Sequence, residues 1–169
     1  MGKPFRNFLN YYNTYFEKVY RYIFFRVGRQ KELAEDLTSE IFLKALQKFN
    51  DFDHGRPFAV WIYRIAHNHL VDYYKKAKYE MMDIEEVANE IRTNDDLRYE
   101  LEVKMNLDKV SGILKELPHM QKEVVVMKYV NDLTNTEIAE ILDTNEAHVR
   151  VLQHRALQKL KTKLAFVTI

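Results

Sequence analysis

The chain contains no cysteine, which excludes disulfide bonds, thiolate zinc sites and a cysteine nucleophile. It also lacks an apolar run long enough to span a membrane and a signal-peptide pattern at its start, so we expect a cytoplasmic protein without membrane insertion. Only four glycines and three prolines occur in 169 residues, and no alternating strand pattern is sustained. The sequence therefore predicts an all-α fold.

The net charge of +1 conceals a division of the chain into blocks of different charge. Residues 1–78 carry 14 Lys+Arg against 8 Asp+Glu, residues 79–106 carry 3 against 9, and residues 107–169 carry 9 against 8. This pattern predicts two small helical domains, 1–78 and 107–169, held apart by an acidic linker at 79–106.

The stretch from 134 to 155 is typical of a helix-turn-helix. Thr134 and Glu137 have the spacing of a capping box, and Asp143 opens a turn cluster whose residues tolerate left-handed backbone. The second helix is two-faced at about 100° per residue. Its inner face is apolar (Val149, Leu152, Ala156, Leu160), and its outer face carries cations and hydrogen-bonding groups. Such a helix suits a DNA major groove, the alternative being a helical hairpin with a solvated basic face.

Two helices of the first block carry further candidate surfaces. A densely aromatic helix over 5–27, with Arg26 off its apolar stripe, is expected to form core. In the helix over 30–49, Leu43 interrupts a polar side that includes Asp36 and Glu40. Either this side is a docking surface or Leu43 is a single exposed leucine.

The helix that follows Pro57 has a basic end and an aromatic edge. With Lys75, Lys76 and Trp61 it could bind single-stranded or melting DNA by charge and stacking. Equally, Trp61 could anchor the core while the lysines complement the helix dipole. His67 and His69 point to different sides of a helix, so they cannot share a metal. We predict no metal, no cofactor and no catalytic residue, and hence no enzyme.

Three motifs occur in a fixed order along the chain: AEDLTSEIFLKAL, PFAVWIYRIAHNHLVDYYKK and ELPHMQKEVVVMKYVNDLTNTEIAEILDTNEAHVRVLQHRALQKL. Together they resemble the bacterial RNA polymerase sigma factors of the extracytoplasmic-function group, over nearly the whole chain. The resemblance implies a sigma factor that binds core RNA polymerase and directs promoter recognition and opening. It also implies that the acidic linker threads toward the RNA exit path.

The resemblance implies three sets of site residues. Contact with the polymerase beta-prime coiled coil would involve Asp36, Leu37, Glu40, Phe42, Leu43 and Lys44. Recognition and melting of the minus-ten element would involve Trp61, Arg64, Asn68, Asp72, Lys75 and Lys76. Recognition of the minus-thirty-five element would involve His148, Arg150, Val151, His154 and Arg155.

The implied partners are core RNA polymerase (its beta-prime coiled coil and beta flap), promoter DNA and an anti-sigma factor. Two other classes remain open from the residues alone. One is a stand-alone helix-turn-helix transcriptional regulator that does not depend on polymerase docking. The other is a helical interaction protein with no DNA role.

Overall fold

A computed structural model describes residues 3–81, 109 and 111–167, and within these ranges the regular structure is helical throughout. The all-α prediction is confirmed. The helices are α1 (Lys3–Arg26), α2 (Lys31–Lys48), α3 (Phe58–Met81), α4 (His119–Val125), α5 (Asn135–Ile141) and α6 (Glu146–Val167). A 3-10 turn follows α2 (Phe49–Asp51), a π-helical turn follows α4 (Val126–Val130), and residues 111–115 are also helical.

Helices α1 to α3 form the first module around an aromatic core. The rings of Tyr11 and Phe58 stack with centroids 4.0 Å apart, and Phe8 meets Phe49 edge-on at 5.2 Å. Large rings bury much apolar area and hold defined mutual geometries, so they fix how three helices cross. The aromatic helix predicted over 5–27 is therefore core, as expected.

The second module contains the predicted helix-turn-helix. Thr134 and Glu137 form a complete capping box at the start of α5. Asp143 has φ 53°, the left-handed conformation that short polar residues tolerate and that the tight turn into α6 requires. Val149 and Leu152 are buried where α6 packs on the module.

Local structure departs from the sequence prediction in three places. The helical pattern of residues 121–129 predicts one continuous helix, but the geometry changes to π-helical at Val126. Arg26 lies off the apolar stripe of α1, and helical periodicity puts Val60 on the side of α3 opposite its apolar stripe, yet the two residues are 4% and 9% exposed. Residues of the other module cover Arg26. Helical periodicity carries no information about such contacts.

The two modules are in direct contact, which corrects the expectation that the linker holds them apart. Helix α5 packs on α3 and the π-helical turn packs on α1, and buried apolar residues of both modules join in one core. The side-chain amide of Asn131 donates to the Lys18 carbonyl and to the Tyr63 hydroxyl, each at 2.9 Å. Of the predicted linker 79–106, the first three residues extend α3 and the others lie outside the described residues.

A buried carboxylate sits at this contact, within what we call the Glu123 cluster: Glu123, Tyr22, Arg26 and His67. Glu123 is fully buried. It accepts hydrogen bonds from the Tyr22 hydroxyl at 2.7 Å, from Arg26 Nε at 3.0 Å and from His67 Nδ1 at 3.2 Å. Burial alone would raise the pKa of Glu123, but the His67 hydrogen bond and the Arg26 charge outweigh it and hold the pKa below its usual value. The carboxylate is thus ionised and paired at neutral pH.

His119 makes the contact between the modules sensitive to acid. Its Nδ1 lies 2.7 Å from Arg26 Nη2, which must donate, so this nitrogen carries no proton. Partial burial and the Arg26 charge lower the pKa of His119 below 6.5. Because the folded chain then binds this proton less tightly than the unfolded chain, the contribution to stability is complete above about pH 6.5 and is lost as the pH falls through the folded pKa.

We predict that the free energy of unfolding falls more between about pH 7.5 and about pH 5.5 in the wild type than in His119→Asn. In that variant the amide oxygen can still accept from Arg26 but cannot titrate. The extra loss should be below about 1 kcal/mol, since solvent reaches one side of the ring. Urea unfolding followed by circular dichroism at both pH values measures it. Identical pH dependence in the two proteins would contradict the assignment.

Candidate nucleic-acid and partner interfaces

The outer face of α6 is open to solvent. All five predicted residues on this helix are exposed: His148, Arg150, Val151, His154 and Arg155. Arg150 Nη2 lies 3.2 Å from Glu146 Oε2 one turn earlier, a surface ion pair that costs little to exchange for another partner. The helix therefore presents cations, imidazoles and one apolar side chain outward while Leu152 holds its inner face in the core.

Side-chain hydrogen bonds hold the start of α6 against α5. Asn145 Oδ1 accepts from the His148 backbone N–H at 2.8 Å, which caps the first turn of α6. Gln153 Nε2 donates to Asn135 Oδ1 at 2.7 Å, linking the two helices on their shared side. The orientation of α6 is thus set by polar contacts as well as by its apolar stripe.

Helix α3 offers a second, mostly basic surface. Arg64, Asn68, Asp72, Lys75 and Lys76 are exposed along it. The Arg64 guanidinium donates to the Glu140 backbone carbonyl in α5, so one of these cations is engaged by the other module.

Trp61 packs on the aromatic core at the edge of this surface. Its ring centroid lies 5.0 Å from that of Phe52 and 5.5 Å from that of Phe58. The side chain is only half-buried. Trp61 therefore makes the contacts expected of a core anchor, while part of its indole ring stays accessible to solvent.

The predicted docking residues on α2 divide between surface and core. Asp36, Glu40 and Leu43 are exposed, with Leu43 57% accessible. Leu37 and Phe42 are each 3% exposed, because they lie on the apolar stripe that meets α1 and α3. Because both side chains are buried, they cannot contact a partner directly in this arrangement. The docking residues predicted on α2 are therefore reduced to those that reach the surface. They support the exposed face from beneath.

A hydrogen-bond relay fixes two polar members of that face. Lys44 Nζ lies 2.8 Å from His69 Nδ1, and His69 Nε2 lies 2.7 Å from Glu40 Oε2. Since the ammonium can only donate, Nδ1 accepts and Nε2–H donates to the carboxylate. His67 points away into the Glu123 cluster, so the two histidines serve different partners. Within the described residues, no group of His, Cys, Asp and Glu could hold a metal ion.

The residues that sequence reasoning missed are those at the contact between the modules. Tyr22 and Glu123 were not singled out and Arg26 was noted only as lying off an apolar stripe, although the three form a buried network across this contact. One signal was available: Glu123 immediately precedes the apolar run from Val124 to Met127. A carboxylate beside so many buried residues must itself find a partner or stay in water.

Two family matches cover most of the chain. Residues 11–79 match sigma-70 region 2, and residues 113–162 match sigma-70 region 4. The first range contains the faces of α2 and α3 described above, and the second contains the helix-turn-helix. No helix among the described residues has the length and apolarity to cross a membrane.

Curated relatives agree with these matches. The chain is 36% identical over 157 residues to the ECF RNA polymerase sigma factor BldN of Streptomyces coelicolor, covering 88% of this chain and 57% of BldN. It is 30% identical to SigW of Bacillus subtilis, covering 93% of this chain and 88% of SigW. It is 28% identical to SigM of the same species, covering 89% and 90%.

Solved structures show the same fold. RpoE of Bartonella quintana, in complex with the anti-sigma factor NepR, superposes with a TM-score of 0.77 at 19% identity, covering 95% of this chain and 98% of that one. CnrH, in complex with the cytosolic domain of CnrY, gives 0.72 at 22% identity, covering 95% and 88%. On the family matches and the relatives together, this chain belongs to the sigma-70 family as an RNA polymerase sigma factor of the extracytoplasmic-function group.

Proposed function

We propose that this chain binds core RNA polymerase through the outer face of α2 and directs it to promoters through α3 and α6. The observation that carries the proposal is the order of surfaces on one chain. A docking face and a basic helix lie in the region 2 match, and an exposed recognition helix lies in the region 4 match. Transcription in vitro with core polymerase and a genomic promoter library tests it.

The α2 face suits a protein partner because it joins apolar and charged groups. Leu43 is a large exposed apolar side chain beside Glu40, whose carboxylate the His69 relay orients. A few residues usually carry most of the binding energy of an interface, and the contacts around them exclude water. We assign this face to the beta-prime coiled coil, with Leu37 and Phe42 supporting it from the core.

The α3 surface suits the minus-ten element. Its lysines can neutralise phosphates, and Asn68 offers an amide that can both donate and accept hydrogen bonds to bases. The accessible edge of Trp61 provides a platform for a base exposed by strand separation. Melting on this surface needs no bond chemistry from the chain, and polymerase supplies catalysis.

The outer face of α6 suits the minus-thirty-five element. Arg150 and Arg155 can reach guanine edges or phosphates, and Val151 can contact a thymine methyl group. His148 and His154 add hydrogen-bonding groups on the same exposed face. The buried inner face keeps the helix rigid while it lies in the groove.

Sigma factors are transcription initiation factors that act in the cytoplasm with RNA polymerase, and we assign this chain no catalytic activity of its own. We place it at the nucleoid through polymerase, with the beta flap as a second contact. An anti-sigma factor is the further partner we expect, since RpoE and CnrH were solved in complex with NepR and CnrY. A stand-alone regulator is not favoured, because two sigma-70 regions match in order.

Truncating Arg155 should weaken promoter binding by the complex with core polymerase. We expect Arg155→Ala to lose roughly 1–3 kcal/mol of binding free energy if the guanidinium contacts a base, and Arg150→Ala a similar amount. Titration of labelled promoter DNA at two salt concentrations measures both effects. Arg6→Ala, which removes an exposed arginine from α1, is the control. If both α6 variants bind like the control, the assigned face is wrong.

Replacing Leu43 by glutamate should weaken the binding of core polymerase. The change places a charge where an apolar anchor is expected, so affinity should fall by at least about 10-fold while the helical content stays unchanged. Leu9→Glu, at a leucine on α1 with 45% exposure, is the matched control. Equal affinities of the two variants in a pull-down or titration with core polymerase would remove the docking assignment.

A further inference from the structure

We infer that a cavity between the end of α1 and the second module is a binding site for a small phosphate-bearing anion. The part of its wall that the argument uses consists of Arg26, Gly28, Tyr74, Ser111, Lys115 and Lys122. None of these residues belongs to the three sets of site residues assigned above. The inference therefore does not rest on the proposed function.

The first argument is the charge of the cavity wall. Among the described residues that line it, three are cations (Arg26, Lys115 and Lys122) and none is a carboxylate. Glu123 pairs with Arg26 and neutralises one of these charges. The net charge at the cavity is then +2, three positive charges less one negative. A phosphate monoester carries about −1.5 to −2 at pH 7, so its charge complements that of the wall.

The second argument is that the two lysines lack a counter-charge of their own. Neither ammonium group makes a hydrogen bond or an ion pair within the part of the chain that the structure describes. Burial, followed by the Arg26 charge, lowers the pKa of Lys122; Lys115 adds to this effect and Glu123 only partly opposes it. The charged form of Lys122 is therefore less favourable here than in water. An anion between the two ammonium groups would remove that cost.

The third argument is the way the backbone assembles the wall. Gly28 follows α1 in the left-handed conformation, with φ 66°. A Cβ at this position would lie 3.4 Å from Cε of Lys115, so the lysine side chain of the second module reaches the loop of the first. The Tyr74 hydroxyl donates to the Arg26 carbonyl at 2.6 Å, which fixes α3 against the end of α1. Ser111, 7% exposed, adds a hydroxyl that can donate to a phosphate oxygen.

The fourth argument is the size of the cavity. Its volume is about 240 Å³, which is room for about eight water molecules at about 30 Å³ each. A pyrophosphate, or a phosphate group with a short organic substituent, has a comparable number of heavy atoms, whereas a whole nucleotide is larger. A phosphate of duplex DNA fits less well, because both modules bound the cavity and the Arg26 side chain is 2% exposed.

Isothermal titration calorimetry of the full-length chain with sodium pyrophosphate tests the site. The titration is done in magnesium-free chloride buffer at constant ionic strength, so that general screening of charge stays the same. We expect saturable binding with a dissociation constant of about 1 mM or below. Inorganic phosphate, which offers the same oxygens, should compete with pyrophosphate for the site.

Three lysine variants locate the binding. Lys122→Met keeps an unbranched side chain but removes its charge, so the affinity for pyrophosphate should fall by at least about 10-fold. Lys115→Met should lose a similar amount, and its exposed position keeps the test valid if Lys122→Met fails to fold. Lys128→Met is the matched control, because Lys128 is also half-buried in the second module but lies outside the cavity wall. Its affinity should change by less than about 2-fold. Circular dichroism checks that each variant keeps its helical content.

Thermal unfolding gives an independent measurement. A ligand that binds only the folded chain stabilises it, so pyrophosphate should raise the melting temperature of the wild type and of Lys128→Met more than that of Lys122→Met. Stabilisation by general exclusion of the salt from the protein surface is the same in all three proteins. Absence of saturable binding to the wild type, or equal affinities of the folded cavity variants and Lys128→Met, would overturn the site. Neither result bears on polymerase binding or on promoter-directed transcription, which are measured separately.

Discussion

The placement of the second module depends on one buried charge. Glu123 has no access to water, and a carboxylate in such a place is stable only when donors surround it. Tyr22, Arg26 and His67 supply those donors from helices that lie 56 to 101 residues earlier in the chain. The apolar core supplies most of the attraction between the modules, but it does not select one orientation. The carboxylate and its donors select it, because displacement would leave charges unpaired in a medium that solvates them poorly.

Helices α2, α3 and α6 each have one side that packs in the core and another that is exposed to solvent. Helix α6 buries Val149 and Leu152 and turns its cations outward. Helix α2 buries Leu37 and Phe42 and leaves Leu43 exposed. Helix α3 packs Trp61 on the aromatic core and projects lysines from its far end. In each helix the residues that fix it in the core differ from most of those exposed on its outer side, so contacts can be exchanged at the surface without disturbing the core.

Features set by neighbouring residues were predicted well from the sequence. The capping box of Thr134 and Glu137 and the left-handed Asp143 depend on residues a few positions apart, and both occur as expected. Features that depend on residues far away in the chain were not predicted from the sequence. Arg26 lies off the apolar stripe of α1, yet a carboxylate 97 residues later draws it into the interior. Resemblance to a family identifies a stretch of chain, but not which side of the helix each residue faces. It therefore assigned Leu37 and Phe42 to an interface, although their positions around the helix put them in the core. No sequence pattern predicts the π-helical turn that begins at Val126.

The open outer face of α6 has a consequence for how the free protein would meet DNA. With the Arg64 guanidinium engaged by the Glu140 carbonyl, the exposed cations of α6 and of the far end of α3 remain, so a free molecule would touch few phosphates at a time. Encounters of that kind release few counterions and are short-lived at cellular ionic strength. The protein would thus sample the chromosome without being trapped there, and would stay in the pool from which polymerase recruits it.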